Sequence, residues 1–193
     1  MNQRRLCRLL AFLLALVLCT GLLAGCGKKD EEEPEEEPSK EIQSTRGGSG
    51  PEFSEEFDQT ARFATEVNGD TLGVVFNGIQ NRSTPYFTPA GSSITVDARA
   101  TTESESLFDY HISLWEETGY GTTKYVEGRT LALTADGQWY TGTFSGLTAG
   151  ARYKITVAYV NPRFYLSGTM AVRGLAGADA DDDENGDESG GGE

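Results

Sequence analysis

The sequence predicts an all-β protein, folded as a two-sheet antiparallel sandwich of about seven to eight strands. Residues 60–175 alternate between apolar and polar side chains with a period of two, which is typical of half-buried strands. The alternating runs are rich in Val, Ile, Thr, Tyr and Phe, and turn residues such as Asp136-Gly137 separate them. No apolar repeat of 3.6 residues stands out in this region. Short strands of this kind each have one apolar face to bury, and they do so by packing as two sheets.

Five runs carry the strand pattern most clearly. They are Thr95–Ala100, Phe108–Trp115, Trp139–Phe144, Tyr153–Val160 and Thr169–Val172. Two earlier runs, Leu72–Ile79 and Tyr86–Thr88, fit either a longer first-strand region or an extra strand.

The segment from Leu147 to Val157 reads Leu-Thr-Ala-Gly-Ala-Arg-Tyr-Lys-Ile-Thr-Val. It resembles the corner between strands E and F of fibronectin type III and related immunoglobulin-like domains. In those domains a leucine precedes a turn, and a tyrosine six residues later opens strand F. The resemblance extends over residues 90–175, and it implies that the hydroxyl of Tyr153 bonds back to the backbone of the corner. Ala149 stands where the family usually has a proline.

The same resemblance assigns core-facing residues to two strands. Strand F would direct four side chains inward: Tyr153, Ile155, Val157 and Tyr159. Strand C would direct four others inward: Phe108, Tyr110, Ile112 and Leu114. Two related architectures stay open, a jelly roll of the carbohydrate-binding type and a bacterial immunoglobulin-like variant with rearranged edge strands.

The first 25 residues have the composition of a secretory signal peptide. Arg4, Arg5 and Arg8 form a basic start without acidic residues, and Leu9–Ala24 is an uncharged, almost wholly apolar stretch. This stretch of sixteen residues is shorter than the roughly 20 that a membrane-spanning helix needs. We therefore expect residues 1–25 to be removed during export.

The end of that stretch, Leu23-Ala24-Gly25-Cys26, resembles the lipobox of bacterial lipoproteins. In that family the cysteine sulfur receives diacylglycerol, and a dedicated peptidase cuts directly before the cysteine. The resemblance implies cleavage between Gly25 and Cys26. It also implies that lipid on Cys26 anchors the mature chain to the extracytoplasmic side of the bacterial cell membrane. An ordinary secretory signal or an uncleaved anchor is the alternative.

Strongly acidic segments flank the strand region. The chain has a net charge of −14, and of its 30 acidic residues eight lie in residues 28–41 and eight in residues 179–193. Dense like charge with little apolar content favours disorder. The predicted organisation is therefore a lipidated cysteine with an acidic disordered tether (26–52), a β-sandwich (53–176) and an acidic disordered tail (177–193). The charge also argues against nucleic acid as a partner, because phosphate binding needs clustered Lys and Arg.

The strand region contains little of the chemistry that catalysis or metal binding requires. Its single histidine is His111, and all three cysteines of the chain precede it, so it has no thiolate ligand for zinc. Asp109, His111 and Ser113 share one face of a predicted strand, but neighbours on such a face are ~6.5–7 Å apart, beyond hydrogen-bond reach. We therefore expect no catalytic residue, no metal site and no cofactor, and hence no enzyme.

Two sets of residues are candidates for ligand contact. The predicted loop after strand F brings an arginine together with two aromatic residues, Arg163, Phe164 and Tyr165, which are residue types favoured at binding hot spots. The second set comprises Trp115, Trp139 and Tyr120, whose rings can stack on a sugar or meet a protein partner. Alternatively, Phe164 closes the end of the core, and Trp115 pairs with Trp139 or is covered by the N-terminal segment.

Together these features predict a lipid-anchored extracytoplasmic protein with a binding or surface-interaction role, whose ligand is a protein or a glycan. The alternatives are a carbohydrate-binding module on a jelly-roll-like sandwich and a non-catalytic accessory subunit of a cell-envelope complex. A sugar-binding protein would carry a row of exposed aromatic side chains on one face. An accessory subunit would carry an apolar patch of the size of a partner.

Lipidation at Cys26 is tested by growing cells that express the chain with a clickable fatty acid. The chain should incorporate label, and Cys26→Ser should abolish incorporation, because the acyl chains are attached through this sulfur. Cys19→Ser is the matched control, since Cys19 does not occupy the lipobox position, and it should keep the label. Label retained by Cys26→Ser would refute the lipobox assignment.

Overall fold

The computed structural model describes residues 42–106, 108–119 and 121–178. In this part of the chain there are twelve strands and no α-helix, and hence no helix long and apolar enough to cross a membrane. The strands are β1 (Thr45–Arg46), β2 (Phe63–Asn68), β3 (Thr71–Ile79), β4 (Asn81–Ser83), β5 (Phe87–Pro89), β6 (Ser93–Thr102), β7 (Asp109–Gly119), β8 (Thr122–Thr134), β9 (Tyr140–Ser145), β10 (Tyr153–Tyr159), β11 (Leu166–Arg173) and β12 (Leu175–Ala178). The candidate residues Gly25, Cys26 and Tyr120 lie outside the described residues, as do residues 26–41 and 179–193.

The strands form two antiparallel sheets, and the predicted all-β sandwich is confirmed. Sheet 1 has the order β1-β9-β6-β11-β3-β2, and sheet 2 has the order β12-β5-β10-β7-β8, with β4 also paired to β10. The strand number exceeds the predicted seven to eight, because five strands lie outside the predicted runs. Strands β1, β4 and β12 are at most four residues long, too short to show alternation, and β2 was also not predicted. Strand β8 was not predicted, because a bulge interrupts its pattern.

The pairing of the central strands is nested. β7 pairs with the next strand, β8, and the strands on either side of them pair in turn: β6 with β9, β4 and β5 with β10, and β3 with β11. The chain is therefore arranged like one long hairpin. The hairpin is rolled up, because β11 also pairs with β6 and β10 also pairs with β7. This is the strand order of a jelly roll, one of the architectures that the sequence left open.

The immunoglobulin-like order agrees with this arrangement at its centre. The β6–β9 and β7–β10 pairs correspond to the B–E and C–F pairs of that fold. The order differs at β11, which crosses to sheet 1 and lies between β6 and β3. In an immunoglobulin-like domain the strand after F stays beside F. Alternation along β11 is the same in either sheet, so the sequence pattern could not distinguish the two orders.

The tyrosine corner has the contact that the resemblance implies. The backbone N–H of Thr148 donates a hydrogen bond to the hydroxyl of Tyr153 at 3.0 Å. The inward side chains predicted for β10 are all at most 8% exposed: Tyr153, Ile155, Val157 and Tyr159. The corner is therefore fixed both by this bond and by burial of its strand.

The inward face of β7 is confirmed for Tyr110, Ile112 and Leu114, each 0% exposed. The prediction for Phe108 is wrong, because β7 begins only at Asp109, and Phe108 is 37% exposed. Burial raises the pKa of the Tyr110 phenol well above its ordinary value, with smaller contributions from Tyr140 and Asp136.

Residues 42–57 form a strap that crosses the outer face of sheet 1. The strap starts at the sandwich edge, where the N–H of Ile42 donates to the carbonyl of Thr130 at 2.8 Å and β1 pairs with β9. It then crosses the strands in their spatial order. Gly48 lies against Asp97 of β6, and the carbonyls of Ser49 and Gly50 accept hydrogen bonds from Arg173 of β11. Pro51 and Phe53 lie against Gly73 of β3, and the N–H of Ser54 donates a hydrogen bond to Glu66 of β2. Val75 and Ala171, which alternate with core residues and so face outward, are only 3% and 0% exposed beneath it.

The strap includes residues 42–52, the last part of the segment that the sequence predicts as a tether (26–52). Residues 42–52 lie on the sandwich, so the ordered chain starts no later than Ile42. The stretch Gly47–Gly50 contains three glycines, which allow the strap to approach the sheet closely. Gly48 has a φ of +99°, and a Cβ there would lie 2.7 Å from Cγ of Asp97. At the other end, β12 extends to Ala178, two residues into the predicted tail.

Arg173 fastens the strap to the sheet. Its Nη1 donates to the Asp97 carboxylate, and its Nη2 donates to the carbonyl oxygens of Ser49 and Gly50, both at 3.0 Å. The Asp97 carboxylate also accepts the N–H of Ser49 at 3.1 Å. The side chains of Arg173 and Asp97 are only 29% and 8% exposed, so solvent screens this ion pair less than one on the open surface.

Removing the guanidinium should loosen the strap. Arg173→Met removes the cation that pairs with the buried Asp97 carboxylate and the donor of two strap carbonyls, and we expect it to lower the free energy of unfolding by about 2 kcal/mol. Urea unfolding of residues 26–193 carrying Cys26→Ser measures this change. Arg163→Met, which removes an exposed arginine from a loop, should stay within about 0.5 kcal/mol of the parent. Equal unfolding midpoints for the two variants would contradict the role of Arg173.

The tyrosine corner gives a second stability prediction. Tyr153→Phe removes the acceptor for the N–H of Thr148 and keeps the ring, so it should cost about 1 kcal/mol. Tyr165→Phe deletes a hydroxyl from a side chain that is 50% exposed and should be neutral in the same urea titration. If both variants unfold at the parent's midpoint, the corner hydrogen bond does not stabilise the fold.

Candidate functional site

The outer face of sheet 2 follows directly from the burial of its inner face. Because side chains alternate along a strand, inward Ile112 and Leu114 require outward Ser113 and Trp115 on β7. In the same way, inward Tyr153 and Ile155 require outward Lys154 on β10. Most side chains on this face are half-buried, in contrast to the residues that the strap covers on sheet 1.

Strand register aligns the outward side chains in four rows that run across the strands, ~6.5–7 Å apart. A charged row contains Arg152 and Glu117. An aromatic row contains Tyr86, Lys154, Trp115 and Tyr125. A hydroxyl row contains Ser83, Thr156, Ser113 and Thr130. A final row contains Asn81, Ala158, His111 and Ala132.

The aromatic row is held together by ring contacts. Trp115 and Tyr125 meet edge to face, with centroids 5.5 Å apart and planes at 63°, an arrangement favoured for aromatic pairs. At the other end, the Arg152 guanidinium lies 4.7 Å and the Lys154 ammonium 5.5 Å from the centroid of the Tyr86 ring. Lys154 pairs in register with Trp115. The row is therefore a continuous surface of rings and cations.

A bulge in β8 brings Tyr125 into this row. Thr130 opposes Ser113, and Tyr125 opposes Trp115. An interval of five residues on β8 therefore lies opposite an interval of two residues on β7. In a regular ladder Gly128 would oppose Trp115, but Gly128 has a φ of 66° and lies within the bulge. The Tyr125 hydroxyl and Thr130 Oγ1 are hydrogen-bonded at 2.9 Å, which closes the bulge on the outer face.

The exposed part of Trp115 is hydrocarbon. Its Nε1 is buried and has no hydrogen-bond partner among the described residues, whereas the residue as a whole is half-buried. The ring therefore presents carbon atoms outward. Such a surface suits stacking on an apolar face of a ligand better than hydrogen bonding to it.

The hydroxyl row is internally bonded. Ser83 Oγ and Thr156 Oγ1 lie 2.8 Å apart, and Ser113 Oγ and Thr130 Oγ1 lie 3.1 Å apart. The carboxylate of Asp109 accepts from Thr134 Oγ1 at 3.0 Å. The hydrogen bonds of Ser113 and Asp109 are thus made with β8, and the hydroxyls of the row are oriented by one another.

The loop residues predicted for ligand contact lie elsewhere. Arg163 and Tyr165 are exposed in the β10–β11 loop, after the end of β10 that is distant from Lys154. Phe164 is half-buried and packs against the core, so it closes the end of the sandwich. The loop is shaped from within, because Gln80 Nε2 donates to the carbonyl of Pro162 at 2.6 Å.

Trp139 belongs to sheet 1 and does not join Trp115. It precedes β9, and the strap lies on it, since a Cβ at Gly50 would be 3.1 Å from its Cζ2. The Arg99 guanidinium lies 5.1 Å from the ring centroid of Trp139. Of the predicted contact residues, the structure therefore places Trp115 alone in the aromatic row, while Tyr120 lies outside the described residues.

Four members of this face were not predicted as contacts: Tyr86, Tyr125, Arg152 and Lys154. The alternation of Arg152-Tyr153-Lys154 places the two cations on the face opposite the corner tyrosine, which is a usable signal. Tyr86 and Tyr125 gave no such signal, because a short strand and a bulge determine their positions.

No protein-family model and no curated protein matches the chain. The choice of candidate site therefore depends on geometry alone.

Proposed function

We propose that the protein is a lipid-anchored extracytoplasmic binding protein that engages a glycan through the outer face of sheet 2. The observation that carries the proposal is the aromatic row of Tyr86, Trp115 and Tyr125 beside the hydroxyl row. A sugar ring has apolar C–H faces and a rim of hydroxyls. An aromatic row next to oriented hydroxyls complements both.

The extent of the row supports a ligand longer than one sugar ring. From Tyr86 to Tyr125 it crosses β10, β7 and β8, about 14 Å at ~4.8 Å per strand spacing. Each ring is held by a neighbour, so the surface is largely preorganised and loses little side-chain entropy on binding.

The jelly-roll strand order adds support by analogy, since lectin domains use this architecture. The relation to fibronectin type III and immunoglobulin-like domains is, in this proposal, a likeness of the four central strands and the tyrosine corner. The lipid anchor is supported by the lipobox at Leu23–Cys26.

An accessory role in a cell-envelope complex is the second candidate. The observation that favours it is a small exposed apolar group at the end of the sandwich, where Val160 and Tyr165 are 53% and 50% exposed. Arg163 lies beside them, and this combination is common at protein interfaces.

A glycan array with residues 26–193 carrying Cys26→Ser tests the proposal. We expect binding to an oligosaccharide class, and we expect Trp115→Leu to weaken it by at least tenfold, because leucine keeps apolar packing but removes the ring face. Tyr165→Leu makes the corresponding change at an exposed loop position and should leave affinity unchanged. Near-ultraviolet circular dichroism checks that both variants are folded.

A pull-down with the same chains separates the second candidate from the first. A defined partner that is lost with Tyr165→Leu and kept with Trp115→Leu, together with an empty glycan array, would replace the glycan proposal with the accessory role. Binding that Trp115→Leu leaves intact would move the glycan site away from sheet 2.

A further inference from the structure

We infer that the sheet 2 face selects acidic glycans and holds a sugar carboxylate at Lys154, beside the ring of Tyr86. The inference rests on the proposed glycan function and adds the charge of the ligand. It is carried by the arrangement of the cations at one end of the aromatic row.

Two cations converge on one ring. Arg152 and Lys154 are outward neighbours on the same strand, and their charged groups lie 4.7 and 5.5 Å from the centroid of Tyr86. Each gains a cation–π contact, which fixes the position of its charge. The end of the row at Tyr86 is therefore positive, whereas the end at Trp115 and Tyr125 is neutral.

The two cations differ in how they are compensated. Arg152 Nη1 lies 2.8 Å from Oε2 of Glu117, whose side chain is 20% exposed, so its charge is largely balanced. Lys124 Nζ likewise lies 3.7 Å from Oε2 of Glu116. Lys154 has no ion-pair partner within the described ranges. Lys154 thus brings to this face a positive charge that no described carboxylate pairs with, in a chain whose net charge is −14.

A carboxylate on the ligand would supply the missing partner. Lys154 is half-buried and its ammonium lies against the Tyr86 ring, so a charge-assisted hydrogen bond to a carboxylate is stronger there than on the open surface. A neutral sugar would restore no charge balance. The adjacent hydroxyl row and the ring of Trp115 favour a uronic-acid-type sugar over an acidic peptide, because both sugar hydroxyls and an apolar ring face find complements.

Carboxyl reduction of an oligosaccharide gives a matched pair of ligands, since it replaces each carboxylate with a hydroxymethyl group and keeps the rest of the sugar. The probes are oligomers of galacturonic, glucuronic and mannuronic acid and their carboxyl-reduced forms. Their binding to residues 26–193 carrying Cys26→Ser is measured by calorimetry. We expect at least one acidic form to bind at least tenfold more tightly than its reduced form. Raising ionic strength should weaken acidic binding alone.

Lys154→Gln should lower affinity for the acidic form about tenfold and leave the reduced form unchanged. Arg163→Gln removes one positive charge from the β10–β11 loop and controls for net charge, so it should bind like the parent. Lys154→Arg keeps the charge and should retain most of the preference.

Failure of this inference is distinguishable from failure of the glycan proposal. Equal binding of the acidic and reduced forms, or binding of neutral array glycans alone, would overturn the acidic preference and leave the glycan function standing. If Lys154→Gln and Arg163→Gln bind the acidic oligosaccharide with the same affinity, Lys154 does not hold the sugar carboxylate. An array and calorimetry without any bound glycan, or binding of acidic peptides alone, would overturn both.

Discussion

The antiparallel register of β7 and β10 is the constraint on which both the core and the candidate site depend. Leu114 opposes Ile155, and both are fully buried. A shift of one residue would turn these side chains to solvent and bring Trp115 and Lys154 into the core. Burial of apolar surface therefore fixes the register, and the register in turn aligns the aromatic and hydroxyl rows. The same register positions Trp115 on the outer face of sheet 2, and the bulge in β8 brings Tyr125 opposite Trp115.

The two outer faces of the sandwich differ in burial because the N-terminal strap crosses only one of them. On sheet 1 the strap crosses β6, β11, β3 and β2 in turn and buries Val75 and Ala171. The Arg173–Asp97 pair supplies directed contacts at the middle of the crossing. On sheet 2 the corresponding side chains remain half-exposed. Among the described residues only sheet 1 is covered in this way, so Trp139 lies under the strap and Trp115 does not.

Sequence patterns predicted the sandwich, five of its strands and the tyrosine corner, because each of these is a local consequence of alternation or of a short motif. Strand β8 was missed, since its bulge at Gly128 breaks the period of two. The strap was missed, since its glycines resemble those of a linker until Asp97 and Arg173 are known to lie beneath them. The inward position predicted for Leu114 implies that Trp115 faces outward. The neighbours of Trp115 come from β10, β8 and the segment before β5, and pairing over long sequence distances brings them together.

By itself the sequence determined which residues alternate and where the corner turns. These properties depend on interactions between residues close in the chain. Only the tertiary structure decided that β11 lies in sheet 1, that residues 42–52 cover that sheet, and that Lys154 lies between Tyr86 and Trp115 in the aromatic row. The physical reason is that alternation fixes which way a side chain points on its own strand. Which strands become neighbours depends on the packing of the whole chain.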